Sequence, residues 1–496
     1  MSWVLVAGDV ACKIKKAVRF DFADFSTLDA RQFYCQEELR LNRRLAPDLY
    51  LDVVPITGSP EHPRLDGPGP PLEYAVRMRS FPQQSLWRHR ISSGSISEQE
   101  MDALAGKLAD FHQHAAIASE KSGWGTSHAI RKIAEDNLAE LDALTNSPSE
   151  KKQLRDVRAW MDMHQQNLDV IFDHRKTQGS IRECHGDLHG GNIFTHNDQV
   201  EIFDCIEFNE SLRWIDVMND IAFICMDLES HGRHDLASRL LSHYLEITGD
   251  HEGLAVLRYF QIQRALVRSK VALLRARQLA QEASTQEEEA ARYLAFPARV
   301  IRPAPAAILI THGYAGSGKS TFSKCLAGLA GAIRIRSDVE RKRLHGMAAT
   351  SRALAAPDRG LYDAAATRKT YDRLLVLARH VLNAGMPVIV DAAFLRKEQR
   401  ARFQELAHEL GLPFFIFDVL ATESAMKRRL AARAQQENEP SDAGLQVLAH
   451  QQARHDVLAE EEKANVIVID SETGMDREDI RNRCEPVLSV LRQRTL

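Results

Sequence analysis

Apolar and polar positions alternate along the front of the chain with the period of β-strands. The segments WVLVA and VACKIKK flank a turn at Gly8 and Asp9, and LDVVPIT and LEYAVRMRSF flank a loop rich in proline and glycine. Between these pairs, a helical pattern begins near Ser26 or Thr27. Alternation indicates strands, whereas an apolar residue at every third or fourth position indicates a helix. The front of the chain is therefore predicted to be a small, mostly antiparallel sheet with one helix.

Helical periodicity follows and extends to the segment RECHGDLHGGNIF. In SISEQEMDALAGKLADFHQH, Ser97 and Glu100 form a capping-box pattern ahead of an apolar stripe that starts at Met101. A serine followed three positions later by a glutamate satisfies backbone N–H groups at the start of a helix. This part of the chain is predicted to be largely helical.

Beyond residue 305, short apolar runs alternate with helical segments. The runs are AILIT, AIRIRSD, PVIVDAAF, PFFIFDVL and NVIVIDS. Strands that alternate with helices form a parallel sheet covered on both faces, and ligands bind at the carboxyl ends of its strands. The second half is predicted to be an α/β domain with a doubly wound parallel sheet.

A stretch rich in proline and alanine separates the two patterns. Pro303 and Pro305 make a stiff, extended connector. A chain of 496 residues also exceeds what one ordinary core holds. We predict a first domain at residues 1–300, a linker at 301–305 and a second domain at 306–496.

Composition and charge limit the class of protein. Charged residues make up 27% and hydrophobic residues 44% of the chain, and the net charge is −4, as is typical of soluble globular proteins. The residues before position 305 have 36 basic and 44 acidic side chains, and the rest has 28 and 24. Neither half is basic enough to predict a nucleic-acid partner. The seven cysteines include no CxxC pair, which favours reduced thiols over disulfides or a zinc site.

The N-terminal pattern differs from that of a secretory signal. Asp9 interrupts its apolar run, and lysines follow the run instead of preceding it. No apolar stretch approaches the roughly eighteen residues that cross a bilayer. We therefore expect a cytoplasmic protein without a membrane partner.

Residues 185–192, HGDLHGGN, place a carboxylate, an amide and glycines within eight positions. Asp187 can hold a substrate hydroxyl, and Asn192 offers an oxygen ligand for Mg²⁺. Asp204 follows at the end of the next apolar run. For any one of these residues, a turn with a capping side chain is the more ordinary interpretation, but the three together favour phosphoryl transfer.

Lys13 and Lys15 project from the same face of the second predicted strand. In the helix that follows, Glu38 falls on the apolar stripe that contains Leu41. A carboxylate on an inward face needs a cationic partner, and a lysine oriented in this way could bind nucleotide phosphates. Surface positions for the lysine and the glutamate are the simpler interpretation of these residues alone. The pattern does not choose between Lys13 and Lys15.

The motif HGDLHGGN followed by FDCIEF resembles the aminoglycoside phosphotransferase and choline kinase group of the protein-kinase-like fold, over the first 300 residues. The resemblance implies an α+β bilobal domain that uses ATP and Mg²⁺. Asp187 matches the catalytic aspartate, and Asn192 and Asp204 match the magnesium ligands. Lys13 matches the phosphate-binding lysine and Glu38 its ion-pair partner.

Other positions match this group without a role in the chemistry. His185 and His189 match residues that shape the loop, and Asp220 matches a structural aspartate. The turn that covers the nucleotide is represented only by Gly8, where related kinases have a preceding strand and a fuller turn. A shorter cover predicts weaker nucleotide binding in this domain.

The second domain opens with AILITHGYAGSGKST, in which residues 313–320 read G-x-x-x-x-G-K-S. Glycines let successive backbone N–H groups face phosphate oxygens, while the lysine adds charge and the serine can bind Mg²⁺. The strand before the motif and the helix after it make a glycine-rich turn with an exposed lysine a much weaker alternative. The predicted nucleotide-binding residues are Gly313, Gly316, Ser317, Gly318, Lys319, Ser320 and Thr321.

Two strand ends bring carboxylates towards this loop. Asp338 follows IRIRS, and Asp391 ends VIVD. We expect Asp391 to organise magnesium or water and Asp338 to receive the proton of a substrate hydroxyl. Arg341 is a candidate substrate contact, with ordinary surface charge as the alternative.

A later segment predicts a mobile lid. Arg429 and Arg433 lie four residues apart on one helical face, ahead of the polar stretch QQENEPSDA. Arginines in such a lid can close over a transferring phosphate, so we expect Arg433 to act in catalysis. A solvated arginine face explains the pattern equally well.

This half resembles small P-loop kinases related to gluconate kinase, chloramphenicol phosphotransferase, polynucleotide kinase and zeta toxin. The matching positions are residues 313–320, Asp338 and Arg433. The order of the two domains resembles that of bacterial bifunctional proteins, in which an aminoglycoside phosphotransferase-like module precedes an ATP-binding module.

These residues and resemblances predict an ATP- and Mg²⁺-dependent phosphotransferase with two nucleotide sites in one chain. It is expected to transfer a γ-phosphoryl group to a hydroxyl of a small molecule. One alternative is a P-loop kinase regulated by a degenerate kinase-like domain that senses nucleotide. Another is a polynucleotide 5′-hydroxyl kinase, which the charge of the second half supports weakly. The acceptor and the oligomeric state do not follow from fold and phosphate motifs.

Overall fold

Contacts between Cα atoms divide the chain into two units. The computed structural model describes residues 2–20, 23–278, 283–302, 306–347, 363–433 and 445–493. The first unit is Met1–Arg233 with Val256–Arg299, and the second is His234–Ala255 with Val300–Leu496. The sequence pattern placed all of residues 1–300 in one domain, whereas the structure groups His234–Ala255 with the second unit. An apolar stripe indicates that a helix is covered but not by which element, so the pattern did not reveal this grouping.

The first unit begins with an antiparallel sheet and one helix. Its elements are β1 (Ser2–Ala7), β2 (Val10–Lys15), β3 (Arg19–Phe20), β4 (Ala23–Asp24), α1 (Leu28–Asn42), β5 (Tyr50–Ser59), β6 (His62–Leu65) and β7 (Glu73–Arg79). The strand order is β1-β2-β7-β5-β6, and β3 and β4 form a separate hairpin. Thr27 caps α1 by accepting the Ala30 N–H at its side-chain oxygen. Strand β6 lies in the stretch predicted as a loop. The sequence did not indicate a strand there because its four residues are all exposed and lack apolar alternation.

The rest of the first unit is mainly helical. In chain order the elements are α2 (Trp87–Ser92), α3 (Glu98–His114), α4 (Ser127–Leu144), α5 (Pro148–Thr177), β8 (Ile181–Glu183), β9 (Ile193–His196), β10 (Gln199–Ile202), α6 (Glu210–Arg213), β11 (Trp214–Asp216), α7 (Val217–Ser230), α8 (His234–Thr248) of the second unit, α9 (Leu254–Gln278) and α10 (Ala283–Val300). The capping box of Ser97 and Glu100 starts α3, as predicted.

Two short strand pairs in this helical part bring two loops together. Strand β8 pairs with β11, and β9 pairs with β10. The Ile206 N–H donates to the His185 carbonyl (3.1 Å), and the Phe203 N–H donates to the Asn192 carbonyl (3.0 Å). The loop before β9 and the loop after β10 therefore lie side by side.

The second unit contains the predicted parallel sheet. Beyond α8, its elements are β12 (Ile308–His312), α11 (Lys319–Ala330), β13 (Ile333–Arg336), α12 (Ser337–Leu344), α13 (Ala364–Asn383), β14 (Val388–Asp391), α14 (Lys397–Glu409), β15 (Phe414–Leu420), α15 (Glu423–Arg433), α16 (Leu445–Ala453), β16 (Val466–Asp470) and α17 (Arg477–Gln493). The strand order is β13-β14-β12-β15-β16, and all neighbouring strands are parallel.

Apolar side chains attach this sheet to the helix that follows its central strand. Strands β12 and β14 are buried at every position. Leu309, Ile389 and Phe417 of the sheet share one core with Phe322 and Leu326 of α11. Burying each such side chain contributes about 1.5–3 kcal/mol. This packing fixes the end of β12 relative to the start of α11, where the glycine-rich loop lies.

Within the described residues, no helix combines the length and the apolarity that spanning a membrane requires.

A buried histidine of the second unit predicts sensitivity to acid. His251 follows α8 and is 2% exposed, and burial disfavours the charged ring and lowers its pKa from 6.5 to about 4. The unfolded chain, with its ordinary histidine pKa, therefore binds more protons between pH 6.5 and pH 4, and stability falls as the pH falls through this range. We expect the residue to cost the second unit about 1 kcal/mol of unfolding free energy between pH 6 and pH 5.

Hydrogen exchange of the β12 and β14 amides, corrected for intrinsic rates, measures this loss. In His251→Gln the acid-induced loss should shrink by that amount. His408→Gln, which changes an exposed histidine of α14, should behave like the unchanged protein. The same pH dependence in both variants would contradict the role of His251.

Candidate functional site

The loop between β8 and β9 holds the predicted aspartate, Asp187, against an amide. The Asn192 side-chain nitrogen donates to the Asp187 carbonyl (2.9 Å) and to Asp187 Oδ2 (3.0 Å). His185 Nδ1 accepts the Asp187 N–H (3.1 Å), and its Nε2 lies 2.9 Å from the Phe203 carbonyl oxygen. This histidine therefore braces the backbone of the loop.

Two aspartates of α7 fix the same loop. Asp220 accepts the N–H groups of His185 (2.8 Å) and Gly186 (2.9 Å), and Asp227 accepts that of Gly190 (2.8 Å). The resemblance singled out Asp220, but Asp227 was missed. Because side chains seven residues apart share a helix face, the spacing of the two aspartates was the available indication.

Neighbouring side chains keep Asp187 ionised. Asp187 Oδ2 lies 3.4 Å from His189 Nε2, and Arg268 Nη1 lies 3.2 Å from the same nitrogen. Burial would raise the pKa of Asp187, but His189 and Arg268 outweigh burial and hold its pKa well below the ordinary value. An ionised carboxylate is a pure acceptor, so it can orient a hydroxyl group by accepting its hydrogen bond.

Lysines from β2 and carboxylates from two segments form one cluster around the buried Glu38. Lys13 Nζ lies 2.7 Å from Glu38 Oε1 and also pairs with Asp204. Lys15 Nζ lies 2.7 Å from Glu38 Oε2 and also pairs with Glu207. Glu38 has no exposed surface, so the surface interpretation of the lysine and the glutamate is wrong.

Opposite charges in this cluster outweigh the cost of burial. Burial would raise the pKa of Glu38, yet Lys13 and Lys15 lower it to about 2. Burial would lower the pKa of Lys13, yet Asp204 and Glu38 raise it well above the ordinary value. The lysine and the glutamate are therefore both charged near neutral pH.

Asp204 is held beside Lys13 by its backbone. Its φ of 66° lies in the left-handed region, where aspartate is among the better tolerated residues. The Asp204 N–H donates to the Tyr50 hydroxyl (3.2 Å), and the next N–H, that of Cys205, donates to Asn42 Oδ1 (2.8 Å). Strand β5 and helix α1 thus fix the direction of the carboxylate.

Glu38→Gln is expected to destabilise the first unit by about 3 kcal/mol, because it leaves Lys13 and Lys15 buried with one carboxylate fewer. All five tryptophans lie between residues 3 and 214, so tryptophan fluorescence during denaturant unfolding reports on this unit. Glu37→Gln is the matched control, since Glu37 is the neighbouring residue of α1 and pairs with the exposed Arg40 (2.9 Å). Equal losses of stability in the two variants would rule out a strong buried cluster.

In the second unit, the glycine-rich loop connects β12 to α11. Gly313, Gly316 and Gly318 have φ of 137°, 80° and 104°, which glycine adopts without strain. A Cβ at position 316 would lie 2.8 Å from the Met426 carbonyl oxygen, and a Cβ at position 313 would lie 2.6 Å from that of Val419. Glycine therefore lets the loop turn closely against β15 and α15.

The polar groups of this loop fit a phosphate. Lys319 Nζ folds back and donates to the Tyr314 carbonyl (2.6 Å). Ser317 Oγ is buried and has no hydrogen-bond partner among the described residues. An unpaired buried hydroxyl costs about 1–3 kcal/mol, which a phosphate oxygen within the loop would remove. Thr321 follows in the first turn of α11 and is exposed.

A cavity of about 140 Å³ opens beside the loop. It collects predicted residues from three separate segments: Gly316, Gly318, Lys319, Ser320, Asp338, Arg341 and Asp391. Arg336, Tyr371 and Gln451 also line it. The carboxyl ends of β12, β13 and β14 therefore meet at one polar pocket, as expected for a parallel sheet.

Asp391 ends β14 at this cavity. Its Oδ2 accepts a hydrogen bond from Ser323 Oγ (2.9 Å) and lies 4.0 Å from Arg334 Nη1. A carboxylate and a hydroxyl are the kind of oxygen ligands that Mg²⁺ takes, with water and phosphate completing its shell. Ser320 and Asp391 therefore fit a magnesium site.

Arg429 holds the glycine-rich loop. Its Nη1 donates to Ser471 Oγ (2.8 Å) and lies 3.3 Å from the carbonyl oxygens of Gly316 and Ser317. Arg429 was predicted to lie in a mobile lid. These bonds instead give it a structural role, in which it holds the backbone of the glycine-rich loop. Arg433 is the last residue of α15, and its side chain and residues 434–444, which include the predicted lid, lie outside the described residues.

Known proteins match both halves of the chain. Residues 30–260 match the profile described as "Phosphotransferase enzyme family", and residues 308–458 match that of an "AAA domain". The uncharacterized protein Rv2004c of Mycobacterium tuberculosis (strain ATCC 25618 / H37Rv) is 32% identical over 451 residues, which cover 91% of this chain and 88% of that protein. The uncharacterized protein Mb2027c of Mycobacterium bovis gives the same values. This chain belongs to their family. It combines a kinase-like phosphotransferase domain with a P-loop domain.

Solved structures of kinases resemble parts of this two-domain family member. A choline/ethanolamine kinase family protein from Mesorhizobium loti is 14% identical, with a TM-score of 0.34, over 59% of this chain and 88% of its own. A gluconokinase from Sinorhizobium meliloti 1021 is 19% identical, with a TM-score of 0.26, over 39% of this chain and 94% of its own.

Sequence reasoning missed several residues around both sites of this family member. Glu207 lies in the segment FDCIEF together with Asp204, and its position in that quoted motif was the available indication. Arg336 lies at the end of the alternating segment IRIR, which places it at the cavity. Gln451 of α16 accepts the Ala315 N–H (2.7 Å), but no local pattern relates this distant helix to the loop.

Proposed function

We propose that the chain is an ATP- and Mg²⁺-dependent phosphotransferase with two nucleotide sites, each of which serves a hydroxyl group of a small molecule. The observation that carries the proposal is common to both units. In each, a lysine, an aspartate and a second oxygen ligand come together from neighbouring segments: Lys13, Asp204 and Asn192 in the first, and Lys319, Asp391 and Ser320 in the second. Positive groups and metal ligands around one point are what phosphoryl transfer requires.

In the first unit, Lys13 is the proposed phosphate ligand. Lys15 is buried between Glu38 and Glu207, whereas Lys13 pairs with Asp204, the proposed metal ligand. Asn192 supplies the second metal ligand. Asp187 accepts the hydrogen bond of the substrate hydroxyl and receives its proton as the hydroxyl oxygen bonds to the γ-phosphorus and the bond between that phosphorus and ADP breaks.

In the second unit, backbone N–H groups of residues 313–321 and Lys319 hold the phosphates. Ser320 and Asp391 hold the metal, and Asp338 receives the proton of the acceptor hydroxyl. Arg341 lines the same cavity and contacts the acceptor or the transferred group. The catalytic role of Arg433 remains a prediction from sequence. Magnesium held by these residues at either site would neutralise phosphate charge and help to orient the reacting groups.

Binding stoichiometry and product formation test this proposal. Calorimetry with a nonhydrolysable ATP analogue and Mg²⁺ should give two sites per chain. Incubation of a pool of hydroxyl metabolites with ATP labelled at the γ-phosphate should give labelled small molecules. Two binding sites, with every labelled product lost in Lys319→Ala and none lost in Asp187→Asn, would instead favour the alternative in which the first unit is a degenerate regulatory domain that senses nucleotide. Labelled oligonucleotides without labelled metabolites would favour a polynucleotide kinase.

A further inference from the structure

Helix α8 brings a carboxylate to an arginine that lines the second unit's cavity. The helix precedes the predicted linker and lies within the residues that match the phosphotransferase family, yet it packs on α11 and β13. Ser242 of α8 accepts the Arg334 N–H (3.2 Å) at its hydroxyl, which lies 3.4 Å from the Ala332 carbonyl oxygen. These bonds fix the last turn of α8 against the strand that carries Arg334 and Arg336.

Glu246, in that last turn, pairs with both arginines. Its Oε1 lies 3.1 Å from Arg336 Nη1, and its Oε2 lies 3.4 Å from Arg334 Nη2. All three side chains are nearly nine-tenths buried. Burial would raise the pKa of Glu246, but Arg336 and Arg334 outweigh burial and lower it. The carboxylate is therefore ionised near neutral pH and offsets part of the charge of two guanidinium groups.

The same arginines face the proposed metal and phosphate ligands on their other side. Arg334 Nη1 donates to the Ser320 carbonyl (3.1 Å) and lies 4.0 Å from Asp391 Oδ2. Arg336 lines the cavity with Ser320 and Asp391. Arg334 is thus shared between two carboxylates, and the one on α8 is nearer.

We propose that Glu246 is a positioning residue of the P-loop site, which keeps Arg334 and Arg336 from neutralising Asp391 and so preserves that carboxylate for Mg²⁺. Without the Glu246 carboxylate, Arg334 loses its closer partner and pairs with Asp391 instead. A metal ligand engaged by a guanidinium binds a divalent cation more weakly. This inference rests on the proposed nucleotide site of the second unit.

Hydrogen exchange of peptides that cover residues 308–326 tests the proposal, because protection there localises ADP binding to the second unit. In Glu246→Gln, the Mg²⁺ concentration for half-maximal protection by ADP should rise roughly tenfold, as is typical when a residue that supports a metal ligand is lost. In EDTA, the ADP concentration for half-maximal protection should not rise, because the variant removes a negative charge near the phosphates. Damage to the fold would instead weaken ADP binding both with Mg²⁺ and in EDTA.

Asp235→Asn is the matched control, since Asp235 lies on the same helix and pairs with the exposed Arg477 (3.3 Å). It should leave the Mg²⁺ requirement unchanged. Glu246→Gln combined with Arg334→Gln should return the Mg²⁺ requirement towards the native value, because the guanidinium group that would pair with Asp391 is then absent. If Glu246→Gln does not fold, Glu246→Asp should show a smaller increase.

Two failures are distinguishable. If ADP with Mg²⁺ protects the loop of the native protein but the Glu246 variants keep the native Mg²⁺ requirement, the positioning role is wrong and the nucleotide site stands. If ADP protects no peptide of the native loop at any Mg²⁺ concentration, the proposed nucleotide site fails and this inference fails with it.

Discussion

Asp187→Asn should lower phosphoryl transfer by the first unit about 10³-fold, which is within the range for loss of a general base. The amide has nearly the same size as the carboxylate, so it can keep its contacts with the loop. It cannot receive a proton, and it presents an N–H group where the hydroxyl of the acceptor has to donate. The loss should therefore fall on the rate of transfer, with little change in nucleotide affinity.

Single-turnover transfer of labelled γ-phosphate to the metabolite pool measures this effect. Products of the second unit should persist in Asp187→Asn, so only part of the product pattern disappears. Asp198→Asn is the matched control, because Asp198 is an exposed carboxylate in the turn between β9 and β10. A product pattern that is unchanged in Asp187→Asn would remove this aspartate from the proposed mechanism.

Local patterns predicted the parts of the sites that are continuous in sequence. The glycine-rich loop needs a strand before it, a helix after it and glycine at three positions with positive φ. All of these can be recognised from residues that are adjacent in sequence. Alternation along β2 also placed Lys13 and Lys15 on one face. The fold class of each half, and the coming together of Asp338 and Asp391 at one edge of the sheet, followed from the order of strands and helices.

Partners that are distant in sequence were harder to predict. Taken alone, Glu38 is a charged residue on a helix, and such residues are usually exposed. The apolar stripe of α1 placed it on the inward face, but the two lysines of β2 that pair with it there are not encoded by any pattern within α1. The same holds for Glu246, whose helix was assigned to the first domain although its partners lie on β13. Ion pairs between segments that are distant in sequence therefore account for the contacts that sequence reasoning missed or misplaced.

Conformational detail also escaped the pattern of apolar residues. Strand β6 is exposed on both faces, so its residues show no alternation. Arg429 has the spacing of a lid residue, but its guanidinium binds the carbonyl groups of the phosphate loop. A helical face of arginines has the same sequence pattern whether it contacts backbone, water or phosphate, and only the neighbouring elements distinguish these cases.

Lys319→Ala should lower phosphoryl transfer by the second unit about 10³-fold, comparable to the loss of a donor that stabilises transition-state charge. Lys319 Nζ lies within the loop that turns around the proposed phosphates, and it now donates to the Tyr314 carbonyl. A bound nucleotide would exchange this neutral acceptor for charged phosphate oxygens, which bind an ammonium more strongly. The variant should therefore weaken both nucleotide binding and transfer, in contrast to Asp187→Asn.

The two active-site variants together test whether the sites are separate. Lys319→Ala should remove the products that Asp187→Asn retains and retain those that it removes, because each substitution changes one charge in one unit. Lys324→Ala is the matched control, since Lys324 lies on the exposed face of the same helix, α11. Like Lys319→Ala, it removes a long side chain from α11 and should affect folding to a similar extent. It leaves the positive charge of the phosphate loop intact. If Lys319→Ala and Asp187→Asn remove the same products, the assignment of one independent reaction to each unit is wrong.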